Sequence, residues 1–217
     1  GGTAVTNNDG TIASQVSVNK DSGFSIVKYT GNATVGATVG HGLGTKPQFI
    51  LFKNLDTVVS WIAYDTINNV IGYLDITDSL TDGRRAWAVN NTDPTSTLVT
   101  LGNNQATNNT SNFIMYCWHS VEEYSKINSY TGTGSSGNSI VTGFQPSFLM
   151  VKRIDSTSNW RLYNSAMGTG VELYANTNAV EASAAGYLNF NSTGFEITTT
   201  GGWLNANGGT YLYMAIA

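Results

Sequence analysis

A chain of 217 residues and 23.1 kDa has room for one large β domain or for two domains of about 100 residues each. Only 11% of its residues are charged, while Gly, Asn, Thr and Ser number 24, 24, 28 and 20, so turn and strand formers stand where long helices would need Leu, Glu and Lys. A net charge of −4 and a pI near 5.0 exclude the basic footprint of a nucleic-acid binder; no apolar run reaches the ~18–20 residues of a membrane helix, and the lone Cys117 excludes an internal disulfide or a cysteine-based metal site.

In chain order, residues 1–22 are polar, rich in Asn, Ser and Gly, and lack a basic-then-apolar leader pattern. They are expected to be an arm of a longer chain. Phe24–Val27 is the first expected strand, followed by Phe49–Lys53, Trp61–Asp65, Val70–Ile76, Ala86–Asn90, Thr97–Leu101 and Phe113–Ser120. Their separators are turn chemistry: Asn68-Asn69, Asp82-Gly83, Asp93-Pro94 and the Asn103–Asn112 stretch. Beyond a link at Val121–Gly132 the strands resume with Phe148–Arg153, Trp160–Asn164, Val171–Ala175, Gly186–Asn191, Phe195–Thr199 and Thr210–Ile216. Ala179–Ala185 is helix-like but short. Short strands spaced by turns predict an all-β protein of the β-sandwich or jelly-roll kind. The alternation around Trp61–Asp65 leaves the strand faces unassigned.

The second half repeats the first. Pro47–Tyr64 aligns with Pro146–Tyr163 at a constant offset of 99, with six identities in eighteen: Pro47, Phe49, Lys53, Asp56, Trp61 and Tyr64 meet Pro146, Phe148, Lys152, Asp155, Trp160 and Tyr163. Tyr29-Thr30-Gly31 precedes one copy as Tyr130-Thr131-Gly132 precedes the other. The expected architecture is an arm (1–22) and two sequence-related β-sandwich units, 23–128 and 129–217, which the aromatic link residues Tyr124 and Tyr130 pack together.

Candidate chemistry is sparse. His119 and Cys117 share a strand face, but no Gly-x-Ser-x-Gly elbow accompanies them, and the second copy carries alanines near the matching places. His41 lies in a Gly-rich stretch, Gly40–Gly44, without the Lys-Ser/Thr of a phosphate loop. Asp75, Asp78 and Asp82 are the carboxylate group that a hydrolase reading would need, though they fit no calcium-loop spacing. No catalytic residue, metal site or cofactor is expected. The amide, hydroxyl and aromatic surface instead suits glycan, since amides match sugar hydroxyls and flat rings stack on a pyranose face. Trp87 with Arg84, Arg85 and Asn90 is one candidate cluster, on an expected strand where a role in packing competes. Trp203 with Asn205 and Asn207, in the Gly201–Gly209 loop, is the other.

Val39–Phe52 (VGHGLGTKPQFILF), Trp61, Tyr130-Thr131-Gly132, Thr142–Pro146 with Phe148–Arg153, and the closing Asn205–Met214 together resemble a domain of tail-fibre-like proteins of tailed phages, known especially from marine podoviruses. The resemblance runs from about Phe24 to the C-terminus and implies a virion protein assembled in the bacterial cytoplasm. The expected partners are other virion proteins, further copies of itself as a homotrimer, and a host-surface glycan; neither nucleic acid nor membrane insertion is expected. Two rivals stay open: a purely structural capsid-decorating or head-fibre protein without a ligand, and a surface-polysaccharide hydrolase.

Overall fold

The computed structural model describes residues 2–168 and 170–217. It is an all-β fold of antiparallel sheets, as the composition predicts. The chain divides into two compact units: unit 1 is the chain up to Tyr73 together with Thr81–His119, and unit 2 is Leu74–Leu80 together with Ser120–Ala217.

Unit 1 contains β1 (Val5–Asn7), β2 (Ser14–Asn19), β3 (Phe24–Thr30), β4 (Thr38–Gly40), β5 (Phe49–Asn54), β6 (Ile62–Asp65), β7 (Val70–Tyr73), the helical turn α1 (Arg85–Val89), β8 (Leu98–Thr100) and β9 (Asn112–Trp118). Among the described residues one seven-stranded sheet runs β1-β2-β3-β9-β5-β6-β7, and β4 pairs with β8 in a separate ribbon. Period-two alternation sets the inner face of the sheet. Val27 and Tyr29 of β3, and Phe113, Met115 and Cys117 of β9, are buried. They share a core with Val39 and Val99 of the ribbon and with Ala88 and Val89 of α1.

Residues 1–22, expected as an arm, add two strands to this sheet instead. Val16 is buried in the core, Ser14 Oγ donates to Gly40 O at 3.1 Å, and Ile12 bridges Val39. The expected strand Ala86–Asn90 is also different: it is α1, preceded by a 3-10 turn at Asp82–Arg84. Thr81 caps that turn by accepting from Gly83 N, and Asn90 ends the helix in the left-handed region at φ 51°. Ala86 and Ala88 between them carry high helix propensity, so local capping decides the conformation.

Unit 2 contains β10 (Ser125–Thr131), β11 (Asn138–Val141), β12 (Phe148–Arg153), β13 (Trp160–Asn164), β14 (Val171–Tyr174), β15 (Ala182–Ser183), β16 (Leu188–Asn191), β17 (Gly194–Ile197), the turn α2 (Gly202–Asn205) and β18 (Thr210–Ile216). Among the described residues a six-stranded sheet, β10-β18-β12-β13-β14-β15, shares its core with the three-stranded β11-β17-β16. Tyr130, Leu149, Val151 and Tyr211 meet Ile140, Leu188 and Phe195 there. The helix-like stretch Ala179–Ala185 holds β15 rather than a helix. The link Val121–Gly132 holds β10, so unit 2 begins earlier than residue 129.

Strand order β3-β9-β5-β6-β7 in unit 1 matches β10-β18-β12-β13-β14 in unit 2, and the same hydrogen bonds recur. Tyr29 Oη donates to Thr107 O at 2.6 Å, and Tyr130 Oη to Leu204 O at 2.8 Å. The next residue of each loop, Asn108 or Asn205, offers its Oδ1 to the backbone N–H of Asn32 at 2.9 Å or of Thr133 at 2.8 Å. Asp56 receives Asn112 N and Asp155 receives Thr210 N. Gly31 and Gly132 are both required by close approach: a Cβ would lie 2.0 Å from Asn109 O in one and 2.2 Å from Ala206 O in the other.

Unit 2 also takes in Leu74–Leu80, the segment that follows β7. Lys152, fully buried, donates from Nζ to Thr77 O at 3.0 Å and to Ser158 O; Ser158 N donates to Thr77 O at 2.8 Å, and Leu80 N to Ile154 O at 2.9 Å. Burial lowers the Lys152 pKa to about 8, with Asp78 pulling it back up in part.

Candidate functional site

Four separate stretches of unit 1 converge on an open groove of about 420 Å³, lined by Val59, Ser60, Tyr73, Trp87, Asn104, Gln105 and Ala106. Tyr73 ends β7, Trp87 is the middle residue of α1, and Asn104 and Gln105 lie in the loop between β8 and β9. Val59, Tyr73 and Trp87 each pack partly against the core of unit 1, which anchors one side of each and leaves the other facing the groove. Asn104 Oδ1 accepts Ala106 N at 2.8 Å, fixing the loop that presents Gln105. Gln105 O accepts from Asn54 Nδ2 at 2.7 Å while its side chain is exposed. No charged residue lines the groove. Two cations lie beside it: Lys53 Nζ donates to Val59 O, and Arg84 lies 4.7 Å from the Tyr73 ring centroid and donates to Ile71 O at 3.3 Å. Aromatic faces beside neutral amides and a hydroxyl suit a flat, hydroxylated, uncharged ligand.

Of the first candidate cluster, only Trp87 lines this groove. Arg85 is held in an ion pair by Asp93, which Lys46 also reaches at 3.2 Å. Asn90 is exposed and serves as the helix cap. Tyr73, Asn104 and Gln105, which sequence reasoning did not single out, complete the groove, and only the turn cluster at Asn103–Asn112 marked their neighbourhood.

The second cluster divides too. Asn205 is fully buried, and all of its amide is engaged: Oδ1 accepts Thr133 N and Asn138 Nδ2, while Nδ2 donates to Ser135 O at 2.8 Å and Thr199 O at 3.0 Å. It is a loop clamp, turned away from solvent by the demand of those backbone groups. Asn207 is exposed. Trp203, in α2, is 38% exposed, but the Arg161 guanidinium lies 5.6 Å from its ring centroid and the Tyr187 ring 5.6 Å away at 56°. Arg161 is itself buried and bonded at 2.5 Å to both oxygens of the buried Glu172. Tyr163 Oη at 2.7 Å and Tyr174 Oη at 2.5 Å donate to the same carboxylate. Burial, then the Glu172 carboxylate, raises the pKa of both tyrosines. Arg161 is raised because Glu172 outweighs its desolvation.

The other candidate groups are dispersed. Cys117 is in the core of unit 1, where burial pushes its thiol well up and leaves it protonated. His41 is buried; its Nδ1 accepts Leu43 N at 3.3 Å, its Nε2 faces Thr95 O at 3.3 Å, and burial lowers its pKa. Those contacts fix the neutral tautomer with hydrogen on Nε2. Asp75 and Asp78 are exposed in the segment that belongs to unit 2, whereas Asp82 opens the 3-10 turn of unit 1. Among the described residues no three His, Cys, Asp or Glu side chains gather as a metal site, and no helix is long and apolar enough to cross a membrane.

The family described as Domain of unknown function (DUF7483) matches residues 1–217, so the chain belongs to it. No curated protein and no solved structure matches the chain.

Proposed function

For this member of a family whose description assigns no activity, we propose a virion fibre or spike module of a tailed phage that attaches to glycan on the host surface. The observation that carries the reading is the Tyr73–Trp87 groove, where two half-buried rings meet the Asn104 and Gln105 amides and the Ser60 hydroxyl. The motif resemblance to tail-fibre-like proteins supports the virion setting. Binding at such an open groove is weak for one copy, and assembly as a homotrimer multiplies it through effective concentration. The scarcity of charge, 11% of residues, suits a particle whose ion pairs would be screened in salt water.

The test is binding of the purified protein to immobilised bacterial lipopolysaccharides and capsular polysaccharides, with light scattering on the same sample. Saturable binding that is lost in Trp87→Ala and competed by free polysaccharide is the expected result. A folded trimer that binds none of them would assign the protein to the rival class, a structural virion component without a ligand. Cleavage of the polysaccharide, lost on replacing Asp75, Asp78 or Asp82, would assign it to the hydrolases.

A further inference from the structure

We propose that each chain carries one sugar-binding site, the Tyr73–Trp87 groove of unit 1, that it takes an uncharged hexopyranose unit, and that the corresponding place in unit 2 is closed by the protein's own Arg161. This rests on the glycan-attachment reading and narrows it to a site, a valence and a ligand class.

The correspondence follows from the loop clamps. Asn108 and Asn205 hold the same backbone position in their units, and Tyr29 and Tyr130 bind the residues just before them. Ala106, two residues before Asn108, is therefore matched by Trp203, two residues before Asn205. The neighbouring strands agree: Ile62 faces Tyr73 across β6 and β7, and Arg161 faces Tyr174 across β13 and β14. In unit 1 small or neutral groups at these stations leave the groove open, with Ala106 in its lining and Ile62 buried in the core.

In unit 2 both stations are filled. Arg161 places its guanidinium 5.2 Å from the Tyr174 ring centroid and 5.6 Å from that of Trp203. A cation over an aromatic face occupies the surface on which a sugar would stack. Glu172 and the tyrosines that bond it hold Arg161 there, so a sugar would have to displace a buried, charge-assisted pair. The ring of Trp203, exposed as it is, has Arg161 and Tyr187 for neighbours.

The ligand class follows from charge. The unit 1 groove has no carboxylate to repel an acidic sugar but also no cation in its lining to pair with one. The two cations beside the groove face the protein's own groups: Arg84 lies against the Tyr73 ring and donates to Ile71 O, and Lys53 Nζ donates to Val59 O. A uronate would lose hydration without gaining a partner, whereas a neutral hexose would lay its C–H face on a ring and its hydroxyls on Ser60, Asn104 and Gln105. Two other grooves among the described residues lack this combination: one of about 400 Å³ in unit 2 is lined by Glu122, Glu123 and Lys126 without a ring, and one of about 280 Å³ in unit 1 has Tyr29, which is only 2% exposed.

Indole N–H signals of the full-length protein, assigned with single Trp→Phe variants, are to be followed while the methyl glycosides of glucose, galactose and mannose, and then glucuronate, are added at millimolar concentration. The expected result is that a neutral glycoside shifts the Trp87 indole and leaves Trp203 unmoved. Affinity falls about tenfold or more in Trp87→Ala and is unchanged in Trp203→Ala. Gln105→Ala, an exposed side chain with no fold to lose, weakens binding as well and guards against misfolding of the Trp87 variant. A shift of the Trp203 indole, or equal loss in Trp203→Ala, overturns the single-site assignment while leaving glycan attachment standing. Preference for glucuronate overturns the ligand class alone. No shift with any sugar, together with no binding to the polysaccharides above, overturns both readings; no shift alongside polysaccharide binding overturns this one only.

Discussion

Asn108 and Asn205 each spend a buried amide on the backbone of a remote loop. Asn108 takes Asn32 N and gives to Thr34 O and Gly102 O at 2.9 Å each; Asn205 makes the corresponding bonds around Thr133. Replacing either by Ala takes the partner from a part-buried N–H and from two carbonyls, at an expected loss of about 0.5–1.5 kcal/mol per hydrogen bond. Urea unfolding of Asn108→Ala and Asn205→Ala should show a loss of similar size in each, and a loss confined to one would break the equivalence of the two clamps. Candidate ligand residues and clamps are chemically the same residue type, which is why Asn205 reads as a glycan contact in the sequence. Its partners come from Ser135, Asn138 and Thr199, positions that no local pattern connects. Trp87 and Trp203 stand out by type alone, but only the neighbours Arg161 and Tyr187 separate the covered ring from the open one.

At the scale of elements, legibility followed apolar density. β5, β9, β12 and β18 are runs of large side chains and fall where their sequence places them. β1, β2, β4 and β11 are built largely from small polar residues and Gly with one or two valines or isoleucines each, and their strand character comes from the neighbour they pair with. α1 is five residues long, too short for a period of 3.6 to be told from one of 2; its caps carried the information. Asn90 at φ 51° is the residue on which that turn ends. Asn90→Gly should hold or slightly raise the thermal midpoint, while Asn90→Val should cost about 1–2 kcal/mol through left-handed strain. The same strain would shift Trp87, so Asn90→Val is expected to weaken sugar binding and Asn90→Gly to preserve it, read by the Trp87 indole signal.

Across the whole molecule, pH acts through buried groups of opposite sign. Lys152 has a folded pKa of about 8 against 10.5 unperturbed. Between those values the unfolded chain holds a proton that the folded chain has released, so this group's contribution to stability rises with pH through that window. Tyr213 is raised by burial to about 12, and Tyr29 and Tyr130 are also raised; their contribution is complete below pH 10 and is lost as pH climbs beyond it. The urea midpoint of the wild type should therefore rise relative to that of Lys152→Met between pH 8 and 10, and both proteins should lose stability steeply above pH 10. The division into units has its own consequence. A chain of residues 120–217 lacks Thr77 and Leu80, the partners of Lys152, Ser158 and Ile154. Circular dichroism should show a lower melting midpoint for it than for the same chain supplied with a peptide of residues 74–80.

During synthesis this arrangement imposes an order on events. When residue 119 has left the ribosome every strand of unit 1 among the described residues exists, yet the bonds that Thr77 and Leu80 make with Lys152, Ser158 and Ile154 wait until those residues follow. For that interval a loop flanked by Tyr73 and Thr81 hangs open to proteases and to other nascent chains on the same message. β18 pairs with both β10 and β12 and follows them in the chain, so the sheet that holds Lys152 in place closes only after β18 has emerged.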